Sequence, residues 1–274
     1  MDSSAGDARP GRIGYVVNAF PVVSETFLLN ELRALGERGV PVAVMALDPT
    51  QPPVRHAYMA ELDLPVTRRP SGEAGRGGRI VLTHARLLAA RPRAYLAGLA
   101  AALAAGLRRP ARMGLDLARL RRRLRSFQRA VWLAGEARRL DVAHLHSFYA
   151  DRPLAVTVLA SRLCGLPYSF AAHAKDLYTT PDSRLRRALA GARFATVCHR
   201  HGEQRLRELA GVHAERVVHQ RHGTDVALFR PDRSVAREAG LVLAVGRLTP
   251  KKGFDHLLQA CALLREATPR LRCV

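Results

Sequence analysis

The sequence predicts an α/β fold, in which helices cover both faces of a doubly wound parallel sheet. Three observations predict it. Short apolar runs alternate with helical patterns along nearly all of the 274 residues, as they do in strand-helix-strand units. The first strand, helix and strand fit within about 35 residues, which favours a parallel pair joined by a crossover helix. The run LVLAV at Leu241–Val245 is apolar throughout, as strands covered on both faces are.

The N-terminal elements form the first of these units. Arg12–Asn18 predicts a strand, and a helix is expected over Glu25–Arg38 with Ser24 as its N-cap. Gly39 ends that helix, since glycine is the usual residue just past a helix C-terminus. Val40–Leu47 predicts the second strand, and Pro-rich and Gly-rich loops follow it.

An arginine-rich region comes next, at Arg79–Arg139. It is predicted to be helical with interruptions at Pro92 and Pro110, and it contains fifteen arginines but only two acidic residues. A basic face of this kind predicts an anionic partner: lipid head groups, nucleic acid or a phosphorylated substrate. Nucleic acid is disfavoured, because aromatic residues make up only 5% of the chain and no reader motif is present. Codon bias toward Arg and Ala explains part of the net charge of +21.

A second alternating run spans residues 142–220. Strands are expected at Val142–His146, Tyr168–Ala172, Phe194–Cys198 and Val217–Gln220, and helices at Arg152–Cys164, Arg184–Ala190 and His199–Leu209. Gly165 and Pro167 end the first of these helices. A connector, His222–Phe229, and a polar segment, 230–240, then lead to the LVLAV strand and a final helix.

The polar segment 230–240 marks a domain boundary. We assign residues 1–11 to a disordered tail and 12–230 to the N-terminal domain, with the arginine-rich region as a helical insertion at 79–139. Residues 231–274 begin a second domain, whose single strand and helix are too small to bury a core alone.

Composition narrows the class of protein. Hydrophobic residues make up 48% of the chain, which is ample for a packed core. The four cysteines lack CxxC or Cys/His ligand spacing, so we expect reduced thiols. The N-terminus has no apolar core of signal-peptide type. The longest apolar run, Tyr95–Leu107, is shorter than the ~20 residues that span a bilayer. These features favour a cytoplasmic location.

The turn after the LVLAV strand predicts a phosphate site. Gly246 ends the strand, Arg247 and Lys252 flank the loop, and a helix starts near Gly253. A helix N-terminus offers free N–H groups, and the two cations complement the charge of a phosphate. The alternative is that both are solvated surface charges, which is our expectation for Lys251.

Four pieces of the sequence carry a resemblance to a known family: NAFPVVSETF, SFAAHAKDLY, HGTDVALF and VGRLTPKKGF. In this order they resemble the family 4 retaining glycosyltransferases, and the first piece is similar to exopolysaccharide or colanic-acid members. The resemblance covers residues 12–274. It implies the GT-B fold, two Rossmann-like domains facing a cleft. It also implies transfer of a sugar from a nucleotide diphosphate sugar to a hydroxyl of a lipid-linked saccharide or polysaccharide, without a bound metal or other cofactor.

The resemblance assigns roles to individual residues. Arg247 and Lys252 would hold the donor diphosphate and stabilise it as a leaving group. His173, which ends a strand, would lie beside the transferred sugar as the catalytic residue. The loop that approaches the acceptor and the donor phosphates would contain Ser24, Glu25 and Thr26. For Ser24 and Glu25, capping of the helix remains an equal alternative.

Three further positions are candidates for supporting roles. Asp176 either orients a loop or caps its own segment. His144 and His146 form a His-x-His pair, but no third zinc ligand at a suitable spacing is visible. His146 is therefore expected to line the cleft and His144 to pack. Asp225 is expected to fix the crossover between the domains by hydrogen bonds.

The chain departs from the family in its second domain. The paired glutamates that grip the donor in the family are not found before Val274. We therefore expect weak activity or none from this chain alone, whether it is truncated or is complemented by a separate C-terminal half. An inactive remnant or an acceptor-binding subunit is the alternative. The arginine-rich region is expected to bind the anionic inner face of a membrane. Phe127 and Trp132 are expected on the side of this region opposite its arginines.

Overall fold

A parallel sheet in the order β3-β2-β1-β4-β5-β6-β7 organises the larger part of the protein. The structure is a computed structural model that describes residues 11–50, 62–71, 77–107 and 117–274. The strands of this sheet are β1 Arg12–Val17, β2 Val42–Ala46, β3 Val66–Arg68, β4 Val142–Ser147, β5 Tyr168–Ala172, β6 Ala195–Val197 and β7 Val217–His219. Each neighbouring pair runs parallel. The predicted doubly wound α/β class is confirmed.

Helices connect most of these strands. They are α1 Thr26–Glu37, α2 Gly78–Ala90, α3 Pro92–Leu107, α4 Leu117–Arg139, α5 Arg152–Cys164, α6 Ala174–Thr179, α7 Asp182–Gly191 and α8 Arg200–Ala210. Pro92 begins α3, because a proline fits the first turn of a helix but not its interior. Pro110 and residues 1–10 of the predicted tail lie outside the described residues.

The predicted N-cap of α1 is wrong. Glu25, not Ser24, occupies the N-cap position, and its side chain makes no capping hydrogen bond. The Glu25 carboxylate is directed to the hydroxyl of Tyr149 instead, which explains the missing capping bond. Gly39 has a φ of +69°, which explains why glycine follows this helix.

Side chains of the sheet alternate between two faces. On one face, Val16, Leu145 and Phe170 are fully buried in a cluster that includes residues of α4 and α5. On the other, which we call the α1 face, Leu28 and Leu32 of α1 pack on residues of β1 and β2. Helices on both faces make the sheet doubly wound.

Helix α4 is a core element despite its arginines. Its C-terminal half is buried, and it includes Phe127 and Trp132. Glu136 is also buried, and it accepts hydrogen bonds from Arg79 of α2 at 2.8 Å and from Arg139 at 2.7 Å. This ion pair joins α2 to α4. Within the described ranges, no helix is long and apolar enough to cross a bilayer.

The chain divides into two compact units, Met1–Thr224 and Asp225–Val274, a few residues before the predicted boundary. The second unit contains the parallel strands β8 Leu241–Val242 and β9 Arg272–Cys273 and the helix α9 Phe254–Leu263. The expectation of a buried LVLAV strand is wrong for the described residues, since Leu243 is 69% exposed and Val245 is 90% exposed. One helix cannot cover both faces of a two-stranded sheet.

Candidate functional site

The carboxyl ends of β1, β4 and β5 carry two predicted residues, Glu25 and His173, and one that was not predicted, Tyr149. His173 follows β5 directly, Tyr149 lies two residues past β4, and Glu25 comes at the end of the loop after β1. In open parallel sheets, ligands bind at the edge where the strands have their carboxyl ends. The fold therefore brings these three side chains to the edge where a ligand is expected.

Asp176 ties two of these strand ends together. Its Oδ1 accepts a hydrogen bond from the backbone N–H of His173 at 2.8 Å, and its Oδ2 accepts one from the backbone N–H of Ala150 at 2.7 Å. Asp176 is only 4% exposed, so water does not compete strongly for either bond. The carboxylate both caps α6 and fixes the loop after β4 relative to His173.

Packing against other rings holds the His173 side chain. Its ring centroid lies 4.9–5.4 Å from four others, those of Phe27, Phe148, Tyr149 and His222. Its Nδ1 lies 3.8 Å from Oδ2 of Asp176, which is too long for a direct hydrogen bond. His222 stacks on it nearly parallel, with 12° between the rings. Burial, and secondarily His173, lower the pKa of His222, which favours its neutral form.

Glu25 is the member of the predicted N-terminal loop that reaches the site. Burial raises the pKa of its carboxyl, while the hydrogen bond from Tyr149 and the proximity of His173 partly oppose that shift. Ser24 and Thr26 are exposed. Of the three predicted loop residues, Glu25 alone is in a position to exchange a proton or a hydrogen bond beside His173.

His144 and His146 contact the same hydroxyl. Nε2 of His144 lies 2.7 Å from Oγ of Ser169, and Nδ1 of His146 lies 2.8 Å from that oxygen. Burial lowers the pKa of His146 to about 3, so its ring is neutral. Among the residues that the structure describes, no group of three or more His, Cys, Asp or Glu side chains is placed to hold a metal ion.

The predicted phosphate residues belong to the second unit. Gly253, with a φ of +66°, is the N-cap of α9, and Lys252 precedes it in a short 3-10 turn. Within the described part of the chain, neither Arg247 nor Lys252 forms an ion pair with a carboxylate. Both charges thus remain open to an anion near the start of the helix.

Asp225 forms a local turn in the connector. Its Oδ1 accepts hydrogen bonds from the backbone N–H groups of Ala227 at 3.0 Å and Leu228 at 3.1 Å. These bonds shape the start of the second unit, and the predicted role of Asp225 in the domain crossover stays a prediction.

Sequence reasoning missed several residues of the site. Tyr149 and His222 touch His173, and Ser169 joins the two histidines of β4. A signal was present for Tyr149, because it follows β4 at the same sheet edge as His173. Ser169 is a buried serine in the otherwise aromatic and aliphatic strand YSFAA, and a buried hydroxyl needs a partner.

Comparison with known proteins gives a sequence match over one segment of the chain. No protein-family model matches the chain. A segment of 83 residues is 39% identical to a D-inositol 3-phosphate glycosyltransferase of Thermomonospora curvata, and it covers 25% of this chain and 19% of that relative. The chain therefore matches about a fifth of the length of this curated relative.

Solved structures share the fold over most of the chain. The lipopolysaccharide outer core galactosyltransferase WaaB, in its apo form, is similar with a TM-score of 0.53 at 11% identity, over 96% of this chain and 67% of that one. A glycosyltransferase from Rickettsia africae has a TM-score of 0.50 at 16% identity, over 93% and 57% of the two chains. The fold is that of GT-B glycosyltransferases.

Proposed function

We propose that this protein is a glycosyltransferase that moves a sugar from a nucleotide diphosphate sugar to an acceptor hydroxyl. The observation that carries the proposal is the position of His173, clamped by Asp176 at the carboxyl edge of a GT-B sheet. The 39% identity to a curated glycosyltransferase over 83 residues supports it. The resemblance further supports a retaining, family 4 reaction of the exopolysaccharide type.

The side chains supply the chemistry that such a transfer needs. His173 is held rigidly by its ring neighbours and lies where the transferred sugar would bind. Glu25 beside it carries a carboxyl whose pKa is raised by burial, which suits a group that hydrogen-bonds the acceptor hydroxyl. Arg247 and Lys252 stabilise the negative charge that develops on the departing diphosphate. No metal or other cofactor is part of this proposal.

The acceptor is proposed to be a lipid-linked saccharide or a polysaccharide reached at an anionic membrane surface. Support comes from the arginines that lie close together on α4 and α7. Burial, and then the positive charges of nearby Arg184, Arg119 and Arg187, lower the pKa of Arg123. Anionic lipid head groups would reduce the charge repulsion within such a cluster. The exposed apolar side chains of the second unit favour a further protein surface that covers them, from the same domain or a separate C-terminal half.

Turnover of nucleotide sugars tests the function itself. Purified protein is mixed with a panel of UDP- and GDP-sugars and alkyl glycosides, and free UDP or GDP is measured. Release that depends on one donor supports the proposal. If no donor in the panel is bound or turned over, the proposal is wrong.

The Arg247→Ala substitution is predicted to weaken the binding of the UDP- or GDP-sugar. Loss of one charge-assisted contact to the diphosphate should lower affinity by roughly 10- to 100-fold. Isothermal titration measures this, with Arg265→Ala as the control, since Arg265 is an exposed arginine of the same unit. Equal affinity in wild type and Arg247→Ala would remove Arg247 from the donor site.

A further inference from the structure

A cavity of about 400 Å³ opens beside His173 on the α1 face of the sheet. It lies next to the part of that face on which α1 packs. Alternate side chains of four strands form its floor, namely Tyr15, His144, His146, Ser169, Ala171 and Thr196. His173 and His222 belong to its lining as well, so the cavity is continuous with the candidate catalytic residue.

The two hydroxyls of Tyr15 and Ser169 on the floor are already paired within the wall. The hydroxyl of Tyr15 donates to Oε1 of Glu31 at 2.6 Å. The hydroxyl of Ser169 contacts both His144 and His146. A sugar ring placed on this floor would bury hydroxyls against these paired groups, and each unpaired hydroxyl costs binding free energy. The floor therefore favours an apolar group over a saccharide.

Aromatic and apolar side chains complete the walls. Phe194 stacks on His144, with 6.1 Å between centroids, and on His146 at 6.3 Å. Phe148 and Leu35 line the cavity too. Polar groups that could meet a hydroxyl-rich ligand come from His222, which stacks on His173, and from Gln220 and Arg221 after β7. The cavity thus combines an apolar interior with a polar region beside the catalytic residue.

We propose that this cavity binds the apolar tail of the acceptor and holds the attached sugar hydroxyl beside His173. This inference rests on the proposed function and narrows its acceptor to a lipid glycoside. The tail gains free energy from leaving water, and the polar head keeps its hydrogen bonds beside His173 and His222.

Alkyl glucosides of increasing length test this directly. Methyl, butyl and octyl β-D-glucoside, each kept below its critical micelle concentration, are titrated into the protein without any nucleotide. Affinity should rise with chain length by up to roughly fourfold per buried methylene, until the cavity is full. Affinity that does not change from methyl to octyl would overturn the proposal.

Two substitutions locate the binding. Ala171→Phe places a ring on the cavity floor. It should lower the affinity for octyl glucoside to the affinity for methyl glucoside or below. Ala190→Phe is the matched control, because Ala190 is exposed on α7, and it should leave the affinity unchanged. Thermal melts establish whether each variant folds. If Ala171→Phe does not fold, Thr196→Phe on β6 takes its place. An equal loss of octyl glucoside affinity in the control Ala190→Phe would overturn the proposal.

These outcomes are separable from those of the proposed function, since the glucosides contain no donor. Chain-length dependence without donor binding or turnover would keep the cavity as an apolar binding site and reject the transferase. Donor turnover without chain-length dependence would keep the transferase and reject the cavity as the tail site.

Discussion

Replacing His173 by Ala is expected to lower the turnover number for release of UDP or GDP by roughly 100-fold or more. The ring lies at the carboxyl end of β5 among four other rings, and alanine leaves no group there to meet the sugar. Donor affinity should change little, because the predicted diphosphate contacts come from Arg247 and Lys252. Steady-state kinetics with saturating donor measures both quantities.

His201→Ala is the control for this prediction. His201 is an exposed histidine of α8, so its loss should leave turnover unchanged. A His173→Ala variant that folds and retains wild-type turnover would show that His173 is not catalytic.

Replacing Asp176 by Ala is expected to lower the free energy of unfolding by about 2–3 kcal/mol. The substitution leaves the backbone N–H groups of His173 and Ala150 without their acceptor in a buried region. Turnover should fall as well, since the loop after β4 is then no longer fixed relative to His173. Urea denaturation and the same kinetic assay measure the two effects.

Asp176→Asn is the informative companion. Asparagine keeps one carbonyl oxygen and can preserve one of the two bonds, so its unfolding free energy should lie between those of wild type and Asp176→Ala. If Asp176→Ala is as stable as wild type, the clamp does not hold the site together.

The regular elements of the first unit were predictable because the residues that begin and end them are close by in the sequence. Helix α5 spans Arg152–Cys164 as predicted, with Pro153 in its first turn and Gly165 at φ +81° after its end. Strand β3, of three residues, and helix α6, of six, were missed. Elements this short hold no full apolar period, and α6 depends on the clamp that Asp176 makes with a distant loop.

The site was predictable only in part. His173, Glu25 and Asp176 lie together because strand ends of a parallel sheet meet at one edge, and motif order alone pointed to them. The contacts of His173 with Tyr149 and His222 depend on tertiary packing, which no local pattern encodes. The exposure of apolar side chains in the second unit was unpredictable for the same reason. Whether a strand is buried depends on its neighbours in the sheet, and the apolar run itself does not encode them.

Hydrogen exchange of backbone amides tests the central claim, that the carboxyl edge of the sheet is the transfer site. The protein is compared with and without a saturating UDP- or GDP-sugar and octyl glucoside. We expect slower exchange in three segments of the first unit, 19–27, 148–152 and 173–180, and around 246–254 in the second. Unchanged exchange in the three segments, with protection instead at the amino edge around 40–42 and 62–65, would contradict it.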